Sequence, residues 1–331
     1  MKAIEFSAPR QVAEVDIPAP KPGPTEVIVR VAACGICGTD LHILDGELAS
    51  LPVIPGHEFA GEVVEQGPDV REPAVGAHVA VDPGMPCRSC AQCRAGRPNL
   101  CLAPQAIGVT VAGGAAEYVR VPAANCYRLP DGSDLEQAAL LEPLACVVAG
   151  FDRIGACLGK HLLVFGAGTI GLMAVMLAQS SGAVSVSVIE LREERLAAAV
   201  SLGCDAAETD AQRVIRQGGW DVVIDCTGAP KAVEDGIQRV ARRGTSLQLG
   251  VSAPNATVQL SPFAVFRDEL TVVGSNSALN SFDRAIDLFG AEALDLDALI
   301  GDRLPLGEYA EGVNRLRRGD GGKTLVLPRG N

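Results

Sequence analysis

The run HLLVFGAGTIGLMAVMLAQSSG, residues 161–182, decides the fold of a large part of this chain. A short apolar strand leads directly into Gly166, Gly168 and Gly171, a G-x-G-x-x-G turn, and an apolar helical run follows at once. The first glycine permits the tight turn, the second lets a pyrophosphate approach the backbone, and the third allows helix and strand to pack closely. The phosphates would sit at the positive N-terminus of that helix. VSVSVIE predicts a second strand ending in Glu190, nineteen residues beyond Gly171, about where an acidic side chain takes the adenosine ribose. WDVVIDCTGAP and TSLQLGV predict further strands, with AVEDGIQRVARRG as the helix between them. Alternation of this kind implies an α/β fold with a doubly wound parallel sheet over residues 150–274.

Upstream the text changes. VAEVDI and EVIVRVAAC alternate apolar and polar residues in short bursts, and GEVVEQG and AHVAVDP continue the pattern, so this region is mainly β. Within it, CGICGTDLH and PGHEFAGEVVEQG bring Cys37, His57 and Glu58 into one short span. Thiolate, imidazole and carboxylate together suit a borderline-soft dication such as zinc. Alone, a histidine in GHE is more often a core or loop residue, and the C-x-x-C of Cys34 and Cys37 could equally be a redox pair. Their joint occurrence favours the metal. A second cluster, CRSCAQCRAGRPNLC, sets Cys87, Cys90, Cys93 and Cys101 at C-x2-C-x2-C-x7-C, and four thiolates close a tetrahedral zinc site with no open position. Two disulfides would strain cysteines three apart in a turn, and an iron–sulfur cluster is the third reading. In LEQAALLEPLACVVAGFDRI the apolar residues recur at helical spacing with Glu142 among them. That charge is costly unless it faces solvent, is paired, or binds metal.

The pattern G-H-E-x2-G-x5-G-x2-V from Gly56 to Val70, with CGTDLH and the four-cysteine lobe, resembles the zinc signature of the medium-chain dehydrogenases, the alcohol and polyol dehydrogenase family. The resemblance covers essentially the whole length. It implies a mainly β GroES-like catalytic domain at 1–149 with a structural-zinc lobe at 84–104, a Rossmann domain at 150–274, and a return to the catalytic domain at 275–331. It implies a catalytic zinc on Cys37 and His57 with Glu58 or Glu142, and leaves open which glutamate binds directly. NAD would be held by Gly166, Gly168, Thr169, Ile170, Gly171, Glu190, Arg195, Cys226, Thr227, Leu249, Gly250 and Val251. NADP is disfavoured because Glu190 would repel a 2′-phosphate, although Arg192 stands close in sequence. Zinc would lower the pKa of a substrate hydroxyl, hydride would pass to the nicotinamide, and Thr39 and then His42 would lead the proton to solvent. The EPL tripeptide at Glu142 resembles the polyol branch, where simple alcohol dehydrogenases have cysteine. The substrate class it implies is a secondary alcohol of a polyol, sugar alcohol or cyclitol, with L-threonine or a simple alcohol as alternatives. One departure, VGAHV where the family has VGDRV, touches a strand and not the metal.

Composition narrows the partners. At 331 residues the chain is long enough for two domains, and its net charge of −12 argues against nucleic acid or an acidic membrane surface. No apolar run reaches the roughly 18 residues of a membrane helix, and MKAIEFSAPR lacks a signal-peptide core, so a cytoplasmic location is expected. Eleven cysteines cannot all pair internally, which fits a reducing compartment. ELTVVGS, from Glu269 to Ser275, resembles the family's sheet-edge strand, and pairing across a two-fold axis would give a homodimer or homotetramer. A zinc-free reductase would lack both metal clusters. A catalytically silent NAD-binding or structural protein would have lost a ligand or a glycine, and none is missing.

Overall fold

The structure, a computed structural model, describes residues 1–48 and 50–329. The chain forms two units, one comprising Met1–Pro143, Phe282–Glu292 and the segment from Leu296 onward, the other Leu144–Ser281 with Ala293–Asp295. The first division falls inside the helix Leu141–Ile154, and the second immediately before the helix Phe282–Gly290.

The first unit is built on a seven-stranded sheet whose axis is the strand Glu26–Gly35. Val27, Val29 and Val31 alternate into its core, as the period of a half-buried strand requires. On one side it pairs with Glu58–Gln66, setting Gly35 opposite Glu58. On the other it pairs with Tyr118–Pro122 and, at its far end, with the C-terminal strand Lys323–Leu327, setting Leu325 opposite Gly35. From Phe282 onward, apart from Ala293–Asp295, the chain belongs to this unit. A second core joins Ile4 and Phe6 of the first hairpin to Ile36, Ile43 and Tyr309, whose ring meets that of Phe6 edge-on at 5.9 Å. The region of Cys87 to Cys101 projects as a small lobe with a two-stranded ribbon, Gly84–Met85 against Gln105–Ala106, and a short helix, Ala91–Arg94.

The second unit is a six-stranded, wholly parallel sheet. Its order is Ala206–Glu208, Ser185–Ile189, His161–Phe165, Trp220–Asp225, Val240–Gln248, Thr271–Gly274. Numbered along the chain this is 3-2-1-4-5-6, the doubly wound order, with its switch point beside His161–Phe165. One expectation is corrected: the helix after WDVVID is Pro230–Gln238, and RVARRG belongs to the next strand and its approach. Trp220 N donates to Arg239 O, and Trp220 pairs with Val240, so sheet pairing claims residues whose spacing reads as helix. Arg243, at φ 59°, and the irregular register between Trp220 and Val222 absorb the extra length. Among the described residues no helix is long and apolar enough to cross a membrane.

Gly61 sits where two central strands of the first unit press together, and a Cβ there would lie 2.1 Å from Arg30 O. Gly61→Ala should therefore destabilise the protein by about 1–3 kcal/mol, read as a lower denaturant midpoint with unchanged slope. An unchanged midpoint would show that the sheet opens to admit the methyl group.

Candidate active site

Two segments of the first unit present the candidate donors. Beyond Gly35 the chain is tied to the C-terminal strand by Ile36 N donating to Thr324 O at 3.0 Å, and then enters the helix Gly38–Leu44 through Cys37. Cys37 caps that helix, and Asp40 accepts its backbone N–H at 2.8 Å, closing a capping box. The sulfur stands at the helix N-terminus. Glu58 opens the strand paired with Gly35, and His57 immediately precedes it. One ligand atom from each of Cys37, His57 and Glu58 lies within 4.8 Å of the others.

The surroundings of these donors are charged and dry. Asp40, His57, Glu58 and Lys323 are all buried. Asp40 Oδ1 stands 3.7 Å from His57 Nδ1, and Lys323 Nζ forms an ion pair with Glu58 Oε2. Burial works against an imidazolium at His57, yet Asp40 and Cys37 beside it outweigh that and hold its pKa well above the ordinary value. Burial likewise opposes the Lys323 charge, and Glu58 and Cys37 overcome it, raising its pKa to about 12. Tyr309 is fully buried, and burial reinforced by Asp40 and Cys34 pushes its phenol well up. Among the described residues, Asp40 Oδ1, His57 Nδ1 and Tyr309 Oη have no hydrogen-bond partner.

A zinc ion fits this arrangement by charge and by chemistry. With Cys37 as thiolate and His57 neutral, as metal ligation requires, three anions, Cys37, Asp40 and Glu58, face one cation, Lys323, leaving the charge that one divalent ion would neutralise. The donor atoms are those zinc accepts. Cys34 belongs elsewhere: it is packed in the sheet core, and burial with Asp40 and Glu58 nearby raises its thiol well above the usual range. Both Cys34 and Cys37 are free, so no disulfide joins the C-x-x-C.

Thr39 and His42, three residues apart, share one face of the short helix. Thr39 Oγ1 is 3.8 Å from Cys37 Sγ, and the half-exposed His42 has Nδ1 at 2.6 Å from Glu47 Oε2. Glu142 is half-buried in the first turn of Leu141–Ile154. In the lobe, the sulfurs of Cys87, Cys90, Cys93 and Cys101 are free and within 4.8 Å of one another, near the roughly 3.8 Å that Zn–S bonds of about 2.3 Å impose on a tetrahedron. Backbone amides point at them, Cys90 N to Cys87 Sγ and Cys87 N to Cys101 Sγ, each at 3.3 Å. Hydrogen bonds from the Ser89 hydroxyl and then from the Ser89 and Cys90 amides bring Cys87 down to about 6. Burial with Cys90 and Cys101 alongside pushes Cys93 up to about 12.

In the second unit the candidate cofactor residues lie at or just beyond the C-terminal ends of its strands, where open parallel sheets take ligands. Gly166 has φ 93°, and a Cβ on Gly171 would lie 1.9 Å from Gly166 O, so helix and turn close together only because that side chain is absent. Gly168, with Thr169 and Ile170 following, caps the helix and leaves its N-terminus open. Glu190 accepts Ala167 N at 2.9 Å and Arg192 N at 3.0 Å, and Arg195 Nη1 is 3.9 Å away. Cys226 and Thr227 are joined to Leu249, Gly250 and the exposed Val251 by a residue the sequence reading missed, Asp225. Its carboxylate accepts Thr227 Oγ1, Gly228 N and Gln248 Nε2 at 2.6, 2.9 and 2.6 Å, and its carbonyl accepts Leu249 and Gly250 N. Asp40, Lys323 and Tyr309 were missed as well. Lys323 had a signal, as a lone charge heading the apolar strand KTLVL.

Two family models match this chain, one described as the alcohol dehydrogenase GroES-like domain over residues 23–131, the other as zinc-binding dehydrogenase over 169–291. A D-altritol 5-dehydrogenase of Agrobacterium fabrum is 38% identical, aligned over 93% of this chain and 94% of its own. An L-threonine 3-dehydrogenase of Pyrococcus horikoshii is 35% identical over 99% and 98%. A zinc-binding dehydrogenase from Sinorhizobium meliloti, crystallised with NADP, superposes with a TM-score of 0.94 at 36% identity and covers 99% of each chain.

Two ligand sets predict two zinc ions per purified chain by elemental analysis. Cys93→Ser should remove one zinc and lower Tm by about 5 °C or more, and His57→Ala should remove the other with a smaller thermal effect. One zinc in the wild type, or iron, would refute the assignment.

Proposed function

This chain belongs to the zinc-dependent medium-chain dehydrogenase family, and we propose that it oxidises a secondary alcohol of a polyol, sugar alcohol or cyclitol to the ketone, reversibly, with NAD. The observation that carries the proposal is a carboxylate, Glu142, in the first turn of Leu141–Ile154, where by resemblance simple alcohol dehydrogenases have cysteine, in a unit that also gathers Cys37, His57 and Glu58. A carboxylate in place of a thiolate makes the site harder, which suits a substrate with several hydroxyls. The altritol dehydrogenase relative supports the same class.

Zinc, when bound, supplies the Lewis acidity that lets a hydroxyl ionise near neutral pH, and NAD supplies the hydride acceptor. Cys37, His57 and Glu58 hold the metal, Asp40 orients the His57 ring, and Glu142 serves beside the metal. Thr39 Oγ takes the hydroxyl proton first, and His42 passes it to solvent. Cys87, Cys90, Cys93 and Cys101 hold a closed zinc that stiffens the lobe. The glycine turn and the strand-end loops hold NAD, with Glu190 accepting the ribose hydroxyls on lone pairs its two amide bonds leave available. Its charge opposes a 2′-phosphate, and Arg195 and Arg192 temper that preference. L-threonine carries the second reading, on the strength of the Pyrococcus relative. The free cysteines suit the reducing cytoplasm.

Assembly completes the proposal. Thr271–Gly274 is the last strand of its sheet, with Val272 exposed. The helix Pro262–Asp268 just before it exposes Phe263 and Phe266, the latter 80% accessible. A bare edge beside apolar side chains invites a second copy, and a homodimer or homotetramer follows.

With NAD, kcat/KM for the best of xylitol, arabinitol, ribitol, sorbitol or an inositol should exceed that for ethanol by at least about a hundredfold, and NADP should serve about tenfold less well. Preference for ethanol would end the polyol reading, and preference for L-threonine would install the second. Light scattering at micromolar concentration should report a dimer or tetramer, and Phe266→Asp with Val272→Lys should weaken it. A wild-type monomer would refute the assembly.

A further inference from the structure

The helix Gly38–Leu44 ends in a way that fixes one side chain against another. Gly46, at φ 81°, takes the left-handed position after the cap. Gly46 N donates to Ile43 O and Glu47 N donates to His42 O, both at 2.9 Å, the paired bonds of a Schellman motif. The second bond joins the backbone of Glu47 to that of His42. The side chains repeat the link, with His42 Nδ1 at 2.6 Å from Glu47 Oε2. Glu47 is exposed, and an exposed pair held only by its side chains would contribute little. Here the turn has already brought the carboxylate to the ring, so little side-chain freedom remains to be lost. The charged neighbours on this flank are engaged with one another: Asp45 accepts from Arg10 Nε at 3.1 Å and from Arg317 Nη2 at 2.6 Å.

We propose that Glu47 is a positioning residue for the proton relay, holding His42 in the tautomer that can accept a proton. This rests on the relay reading given above. A neutral imidazole has one N–H and one lone pair, and an ionised carboxylate can only accept. A carboxylate at hydrogen-bond distance from Nδ1 therefore keeps the hydrogen there and leaves the lone pair on Nε2. As Thr39 Oγ accepts the substrate's hydroxyl proton it hands a proton on, which reaches Nε2; Glu47 faces the resulting imidazolium through the Nδ1–H bond, and the Nε2 proton then departs to water. Without the carboxylate the ring would spend much of its time with Nε2 protonated and unable to accept.

The chain has only four histidines, so imidazole 15N spectra of the zinc-loaded enzyme can resolve His42. The wild type should show the Nδ1–H form. Glu47→Ala should lose it and lower kcat for alcohol oxidation by about tenfold or more, with substrate KM nearly unchanged. Glu47→Gln keeps an acceptor at the same reach and should recover the tautomer and part of kcat. A wild-type His42 protonated on Nε2, or a Glu47→Ala enzyme that keeps both tautomer and kcat, overturns the inference. His42→Ala separates the two levels. If it leaves kcat unchanged, the relay itself has failed, whereas if it lowers kcat and Glu47→Ala does not, only the role of Glu47 has failed.

Discussion

An excess of buried negative charge around Cys37 governs the first unit. Asp40 and Glu58 are essentially inaccessible to water, and an ion withdrawn from water without compensation costs several kcal/mol. Lys323 offsets one charge. With His57 neutral, as a metal ligand must be, the remainder is the charge a divalent cation would neutralise, and a lysine from the far end of the chain completes the balance. The same excess keeps the His57 pKa high against the effect of burial.

Backbone geometry enforces that convergence. Gly35 lies opposite Glu58 on one neighbouring strand and opposite Leu325 on the other, so a single residue fixes the register of both carriers of the ion pair. It can do so because it has no side chain: a Cβ would stand 2.5 Å from Glu58 Oε2 and 2.6 Å from Lys323 Cε. Gly56 does a different job. At φ 93°, with Cys34 Sγ 2.6 Å from where its Cβ would be, it turns the chain sharply just before His57. The spacing of glycines in the GHE motif thus records both a turn and a close approach.

How much of this was legible depended on range. The parallel order of the second unit follows from local alternation of strand and helix text, and the glycine turn is complete within six residues, so both could be read directly. The four-cysteine lobe is equally local. Lys323 and Tyr309 could not be placed, because their meaning comes from strands and helices that meet only in the fold. Asp40 looked like an ordinary helix residue, since nothing in CGTDLH says which face is buried. The end of Pro230–Gln238 was overrun because its apolar spacing continues into RVARR, where pairing with Trp220 takes over. The first division between units was hidden for a related reason: it lies within a continuous helix and has no glycine or proline-rich linker to announce it.

Buried carboxylates in the two units show what separates a structural role from a metal-directed one. Asp225 receives four hydrogen bonds, two from Thr227 and one each from Gly228 and Gln248. Glu190 receives two from the backbone, with Arg195 nearby. A carboxylate has about four lone-pair sites, so Asp225 is saturated by the protein, whereas Glu190 retains capacity for a ligand. Among the described residues, Asp40 receives the Cys37 amide on one oxygen and nothing on the other, and Glu58 is paired with Lys323. All four are buried acids of the same chemistry. Donors within reach separate them: a full set fastens a loop, a partial set leaves room for the ribose hydroxyls proposed for Glu190, and a deficient set beside a thiol and an imidazole fits the proposed cation. That ranking depends on folded neighbours, which is why sequence could nominate Glu58 and Glu142 together and only the sheet could set Glu58 among the donors.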